Sequence, residues 1–146
     1  KDPIKLAVLL DATGNTGDSS LFPKIKEYAK SEDKVARASL YSALGNFKDK
    51  DSLDFLKSNV TKEESPEGRI KIMQSLLQRK GDKDVTKTIQ DSVQIESDVN
   101  TRQYMLQYLI QNKNDVTDYK KTLEKLLETE TNESNRELIY TGIHSN

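Results

Sequence analysis

The sequence predicts an all-α protein, an α-solenoid of about four and a half antiparallel helix pairs. Three observations predict it. Residues able to cap a helix N-terminus recur at Asp2, Asp33, Ser65, Asp98 and Asn132, at intervals of 31, 32, 33 and 34 residues, and a fixed period of this length marks a repeat architecture. Behind each cap runs an apolar stripe at the i, i+3, i+4, i+7 spacing of one helix face. Between these segments lies a second set of helical stripes, joined by connections short enough for antiparallel neighbours.

The second helix of each pair carries the clearest pattern. Four residues after the cap stand Arg37, Arg69, Arg102 and Arg136, with Leu6 breaking the series in the first copy. The stripe that follows reads Leu40, Tyr41, Leu44; Ile72, Met73, Leu76; Met105, Leu106, Leu109; and Ile139, Tyr140, Ile143. The first copy offers Leu9 and Leu10. Gly14 and Gly45 are placed to close the first two copies as left-handed caps, and Gly81 follows the third. Pro3 and Pro66 follow two of the caps, where a missing N–H costs nothing.

The first helices read Leu21, Phe22, Ile25, Tyr28, Ala29; Leu53, Leu56, Val60; Val85, Ile89, Val93; and Val116, Tyr119, Leu123, Leu126, Leu127. Pro23 fits the first turn of its helix. The expected total is nine helices, a lone second-type helix followed by four pairs. Residues 1–146 then form a single repeat domain. The first helix has no partner before it and little polar surface, so the parent protein is expected to continue beyond at least the N-terminal end.

Composition suits a thin array. Hydrophobic residues make up 34% and charged residues 32%, with mean hydropathy at −0.79. The net charge is −1, from 23 basic and 24 acidic residues well mixed along the chain. No basic block points to nucleic acid. No apolar run is long enough for a transmembrane helix. Cysteine is absent, which excludes disulfides and thiolate chemistry but leaves the compartment open.

The repeats resemble a known family. An acidic cap, V-x-R opening the second helix and A-L-G-N closing it, as in residues 35–46, look like a HEAT repeat. The short variant of phycobilisome-lyase-type arrays is nearest in length. ATGNTGDSSLFPKI and ALGNFKDKDSLDFL are two copies of the linker and first helix. The resemblance implies right-handed stacking, with second helices lining a concave face that in many members binds proteins. A weaker resemblance, through LLDATGNTGDSSLFPKIKEYAKS, LYSALGNF and GRIKIMQSLL, is to the helical arch of vitellogenin-type lipid-transport proteins. A lipid partner enters only with that alternative.

No catalytic, cofactor or metal site is expected. His144 is the only histidine and stands two residues from the end. Lys80-Gly81-Asp82-Lys83 lacks the pattern of a phosphate loop. Asp49–Ser52 and Gly81–Asp84 imitate pieces of a calcium loop without its glycine and glutamate, and read as turns at helix starts. Adjacent Glu63 and Glu64 read as chance neighbours in a charged chain. A lyase of the short-repeat type would lack a nucleophile.

The arginine ladder of Arg37, Arg69, Arg102 and Arg136 reads as structural. Asp33 with Arg37, and Asp98 with Arg102, have i, i+4 spacing, worth roughly 0.2–0.5 kcal/mol. A column of anion-binding guanidinium groups is the other reading. On the second helices, positions two, five and six after the arginine point away from the apolar stripe. Of these fifteen residues only Asp11 and Lys71 are charged, against about five at the chain's overall rate. This uncharged strip, centred on Gln74, Gln78, Tyr104, Gln107, Tyr108 and Gln111, is the candidate surface for a protein or peptide partner. Crowding between neighbouring helices would produce the same pattern.

Overall fold

All five expected cap residues hold a helix N-terminus with their own side chains. Asp2 accepts from the Ile4 N–H, Asp33 from Val35, Ser65 from Gly68, Asp98 from Thr101 and Asn132 from Asn135. The structure, a computed structural model, describes residues 2–145. The second-type helices are α1 (Pro3–Thr16), α3 (Lys34–Ala43), α5 (Pro66–Gln78), α7 (Val99–Gln111) and α9 (Glu133–His144). The first-type helices are α2 (Phe22–Ile25), α4 (Lys50–Val60), α6 (Lys83–Val93) and α8 (Tyr119–Thr129). The fold class is therefore all-α, an α-solenoid of helix pairs, with no strand among the described residues.

The first pair departs from regular helix. Around the short α2 the chain winds as 3-10 helix, over Ser19–Leu21 and Lys26–Lys30. Pro23 is one cause. It cannot donate to the Ser19 carbonyl, so the Phe22 N–H takes that carbonyl in a tighter 3-10 turn. Phe22 and Ile25 are nevertheless buried, as the stripe requires.

The chain divides into two compact units, one ending at Lys80 and the other beginning at Gly81. In the first unit α1 packs on α3, α3 on α5, and α4 on α5. Its core contains Leu10, Leu40, Tyr41, Leu44, Phe47, Leu56, Ile72, Met73 and Leu76, each nearly sealed from solvent. The Phe22 and Phe55 rings meet edge to face at 5.3 Å. In the second unit α6 packs on α7, and α9 on both α7 and α8. Val85, Ile89, Met105, Leu106, Leu109, Leu123 and Ile139 fill its core.

Two expectations about the stripes need correction. Leu9 and Tyr140 are exposed, at 56% and 61%. Tyr140 faces solvent instead, with its ring 4.3 Å from that of His144. The glycine caps also differ. Gly14 lies inside α1, and the left-handed cap is Gly17, with φ of 64°. Gly14 is there for closeness, since a Cβ would sit 2.7 Å from the Ala43 Cα of α3. Gly45 also lacks the left-handed conformation, and Gln78 and Ser75 of α5 close over it.

Candidate functional site

The ladder arginines are fixed by a motif that recurs in both units. In the first unit, Arg37 donates from Nη1 to the carbonyls of Ser31 and Glu32, at 2.8 and 3.2 Å. This closes the loop of its own pair. Its Nε and Nη2 then grip both oxygens of Glu63, at 2.8 and 3.1 Å. In the second unit, Arg102 donates from Nη1 to the carbonyls of Glu96 and Ser97, both at 3.0 Å. Its Nε and Nη2 hold Glu130 at 2.9 Å each. Each bidentate bridge joins one second helix to the end of the following pair's first helix. Such forks are stronger and more directional than lysine contacts.

The glutamates are set by their position. Glu63 and Glu130 each stand two residues before a cap and accept that cap's backbone N–H, from Ser65 at 2.9 Å and Asn132 at 3.1 Å. Glu96 does the same for Asp98. In the first pair the corresponding residue is Ser31, whose Oγ accepts from Asp33 N–H. The copy that lacks the arginine, at Leu6, is thus followed by the loop that lacks the glutamate.

Burial makes these bridges consequential. The Glu63 and Glu130 side chains are only 2% and 5% exposed. Burial alone would raise the Glu63 pKa. Bonds from Arg37, the Ser65 N–H and the Tyr41 hydroxyl outweigh it and hold the carboxyl below its ordinary value. For Glu130 the Arg102 bond dominates burial, and the carboxyl is lowered to about 2. Burial, followed by the Glu63 charge, pushes the Tyr41 hydroxyl upward.

Glu63 is therefore no chance neighbour of Glu64. Its place also explains Gly68 in α5, where a Cβ would lie 2.6 Å from the Glu63 Cγ. The ion pair of Arg37 runs to Glu63 and not to Asp33, which is engaged in capping. With four of the five N–H groups of Arg37 directed at protein oxygens, little remains for an external anion. Arg102 is in the same state. Arg69 repeats the first half of the motif, donating to the carbonyls of Glu63 and Glu64. Arg136 repeats it in part, donating to the Glu130 carbonyl six residues back and to the Leu127 carbonyl nine residues back, both at 2.8 Å.

Sequence reasoning missed a further buried cation. Arg79, just past α5, donates to the Leu44 carbonyl at 3.2 Å and the Ser52 Oγ at 2.7 Å, and also reaches the Asp49 carbonyl. It ties the end of α3 to the start of α4. No repeat position marks it, which is why the periodicity did not reveal it.

The strip residues separate into two kinds. In the first unit Gln74 is half-buried and Gln78 exposed. In the second, Tyr104 is half-buried, and Gln107 and Gln111 are exposed. Tyr108 is fully buried, so the expectation that both rings project from α7 is wrong for this residue. The position six after the arginine faces neighbouring structure. There Ala43 meets Gly14, Ser75 donates to the Tyr41 carbonyl at 2.6 Å, and Gly142 lies against Ile110. The crowding explanation thus holds at that position, and burial raises the Tyr108 pKa. It does not account for Gln107, Gln111 or Thr141, which face solvent.

A tandem of capped helix pairs, bridged by arginine and glutamate, defines a repeat protein. The family model of HEAT repeats matches residues 1–77, and the chain belongs to the HEAT-repeat family. No curated protein and no solved structure matches it, so the weaker resemblance to lipid-transport arches gains no support. HEAT repeats are commonly protein-interaction scaffolds, and the family is typically non-catalytic. Among the described residues, no helix is long and apolar enough to cross a membrane.

Proposed function

We propose that the chain is a non-catalytic interaction module that binds a protein or peptide through the uncharged strip of its second helices. The observation that carries the reading is on α7. Tyr104, Gln107 and Gln111 follow one another at i, i+3 and i+7, accessible to solvent and uncharged, in a chain that is 32% charged. On α9, packed beside α7, Leu138 and Thr141 occupy the equivalent positions and are also accessible. Tyrosine supplies contact area at low entropic cost, and glutamine can bond a partner's backbone. In the first unit Gln74 and Gln78 are the corresponding candidates on α5. Tyr108 leaves this set because it is buried.

The test is a pull-down from the native host with the wild-type chain and a folded Tyr104→Ala, Gln107→Ala variant. Truncating a tyrosine at the centre of an interface costs roughly 2 kcal/mol or more of binding free energy. The variant is expected to lose a partner that a charge reversal on the outer side of α8, such as Lys121→Glu, retains. Identical partner profiles for the three proteins would overturn the proposal.

A further inference from the structure

The two bridges differ in what stands against the glutamate. In the first unit Tyr41, four residues after the ladder arginine, donates its hydroxyl to Glu63 Oε1 at 3.0 Å. The same hydroxyl lies 3.4 Å from Asn59 Oδ1, four residues before the glutamate. The second unit carries Leu106 and Leu126 at these two positions. A cavity of about 300 Å³ opens there beside the bridge, lined by both leucines and by Arg102 and Glu130. It reaches down to Val93 and Ile139, which are 3% and 0% exposed. The depression at the equivalent place in the first unit has Tyr41 and Asn59 as walls instead. Glu130 Oε1 takes its second bond from the Asn135 side-chain amide at 3.4 Å, which is long beside the 3.0 Å of the tyrosine hydroxyl.

We infer that the cavity in the second unit binds a phenol, its ring against the leucines and its hydroxyl donating to Glu130. Tyr41 is the internal pattern for this ligand, a phenol ring whose hydroxyl is held by a bridged glutamate. Apolar walls with a few convergent polar groups are the usual build of a small-molecule pocket. Leu106, Leu126, Val93 and Ile139 supply the walls. Glu130 is ionised at neutral pH and accepts only, so it selects a donor. A hydroxyl-to-carboxylate bond is charge-assisted and short. Arg102 does not draw an acid into the cavity, because four of its five N–H groups already meet protein oxygens. An acidic group on the ring would meet the Glu130 charge with its own. None of the strip residues lines the cavity, so this inference stands apart from the proposed interaction surface.

The experiment is an NMR titration of the full chain with para-cresol, para-methylanisole and para-toluate, three rings of similar size. The amides of Leu106, Leu126 and Thr131 report on the cavity. Para-cresol is expected to give saturable shifts there, with a Kd of about 1 mM or tighter. Para-methylanisole cannot donate and para-toluate is charged, and both should bind at least tenfold more weakly. Leu106→Tyr, alone and combined with Leu126→Asn, installs the first unit's own side chains and should weaken para-cresol binding at least tenfold. The three ligands are compared on the wild type, so their ranking decides the matter whether or not those variants fold. An end-blocked Ala-Tyr-Ala peptide separates the sources of the phenol. Binding as tight as that of para-cresol assigns the cavity to a partner's tyrosine, and weaker binding assigns it to a free phenol; both support the inference. Para-cresol that gives no saturable shift overturns it. So does either analogue binding as tightly as para-cresol, or a folded Leu106→Tyr variant that binds para-cresol like the wild type.

Discussion

Replacing Glu130 by Gln isolates the electrostatic part of one inter-repeat bridge. The carboxyl is lowered from an ordinary 4.5 to about 2, first by the Arg102 bond and then by the Asn132 N–H and neighbouring charge. A carboxyl that is more acidic in the folded chain stabilises the fold when ionised. The gain is complete above about pH 5 and is lost as the pH falls towards 2. Its size at neutral pH is about 3 kcal/mol, and about half of that remains at pH 3. Glutamine keeps the shape and can still accept the Asn132 N–H, but it leaves Arg102 facing a neutral acceptor. Urea midpoints of the wild type and Glu130→Gln, taken at pH 7, 5, 4 and 3, measure the difference directly. The wild type should be more stable by about 2–3 kcal/mol at pH 7, and the gap should narrow below pH 5. Reading the difference cancels the other acid-labile carboxylates. A gap of the same size at pH 7 and pH 3 would refute the argument, since the loss would then come from packing.

Five further substitutions test packing. Leu44→Ala and Leu109→Ala each remove a fully buried side chain and should cost about 2–5 kcal/mol in thermal or urea melts. Gly14→Ala should cost about 2 kcal/mol, because the added methyl meets the Ala43 backbone at 2.7 Å. Gly142→Ala meets side chains and no backbone, Ile110 at 2.8 Å and the Leu123 Cδ1 at 3.1 Å, and the helix-propensity gain of about 1 kcal/mol should offset part of its cost. Gly68→Ala should lose about 1–2 kcal/mol despite that same gain, since Glu63 is pinned by three partners and cannot give way. If Gly68→Ala melts above the wild type, Glu63 is not held as rigidly as its bonds imply.

The sequence made the architecture legible because caps and stripes are local signals. A cap needs one side chain within three residues of its N–H, and a stripe needs only helical spacing. Asp2, Asp33, Ser65, Asp98 and Asn132 could therefore be found without knowing any tertiary contact. Glu63 and Glu130 could not be found that way, because their arginines are 26 and 28 residues distant. Yet a signal for them existed. A glutamate stands two residues before Ser65, Asp98 and Asn132 and is absent before Asp33, and the cap interval grows in step with the arginine-to-glutamate spacing. Leu6 and Ser31 depart together, which is how the two halves of one bridge should behave. The same logic separates the strip. A helical wheel puts Tyr108 beside Tyr104 on one side of α7, but it cannot say which edge of that side a neighbouring helix covers. The small residues at Ala43, Ser75 and Gly142 mark the covered edge, and Tyr108 belongs to their register. The edge that carries Gln107 and Gln111, where no such size restriction recurs, stays exposed and is the surface we propose for a partner.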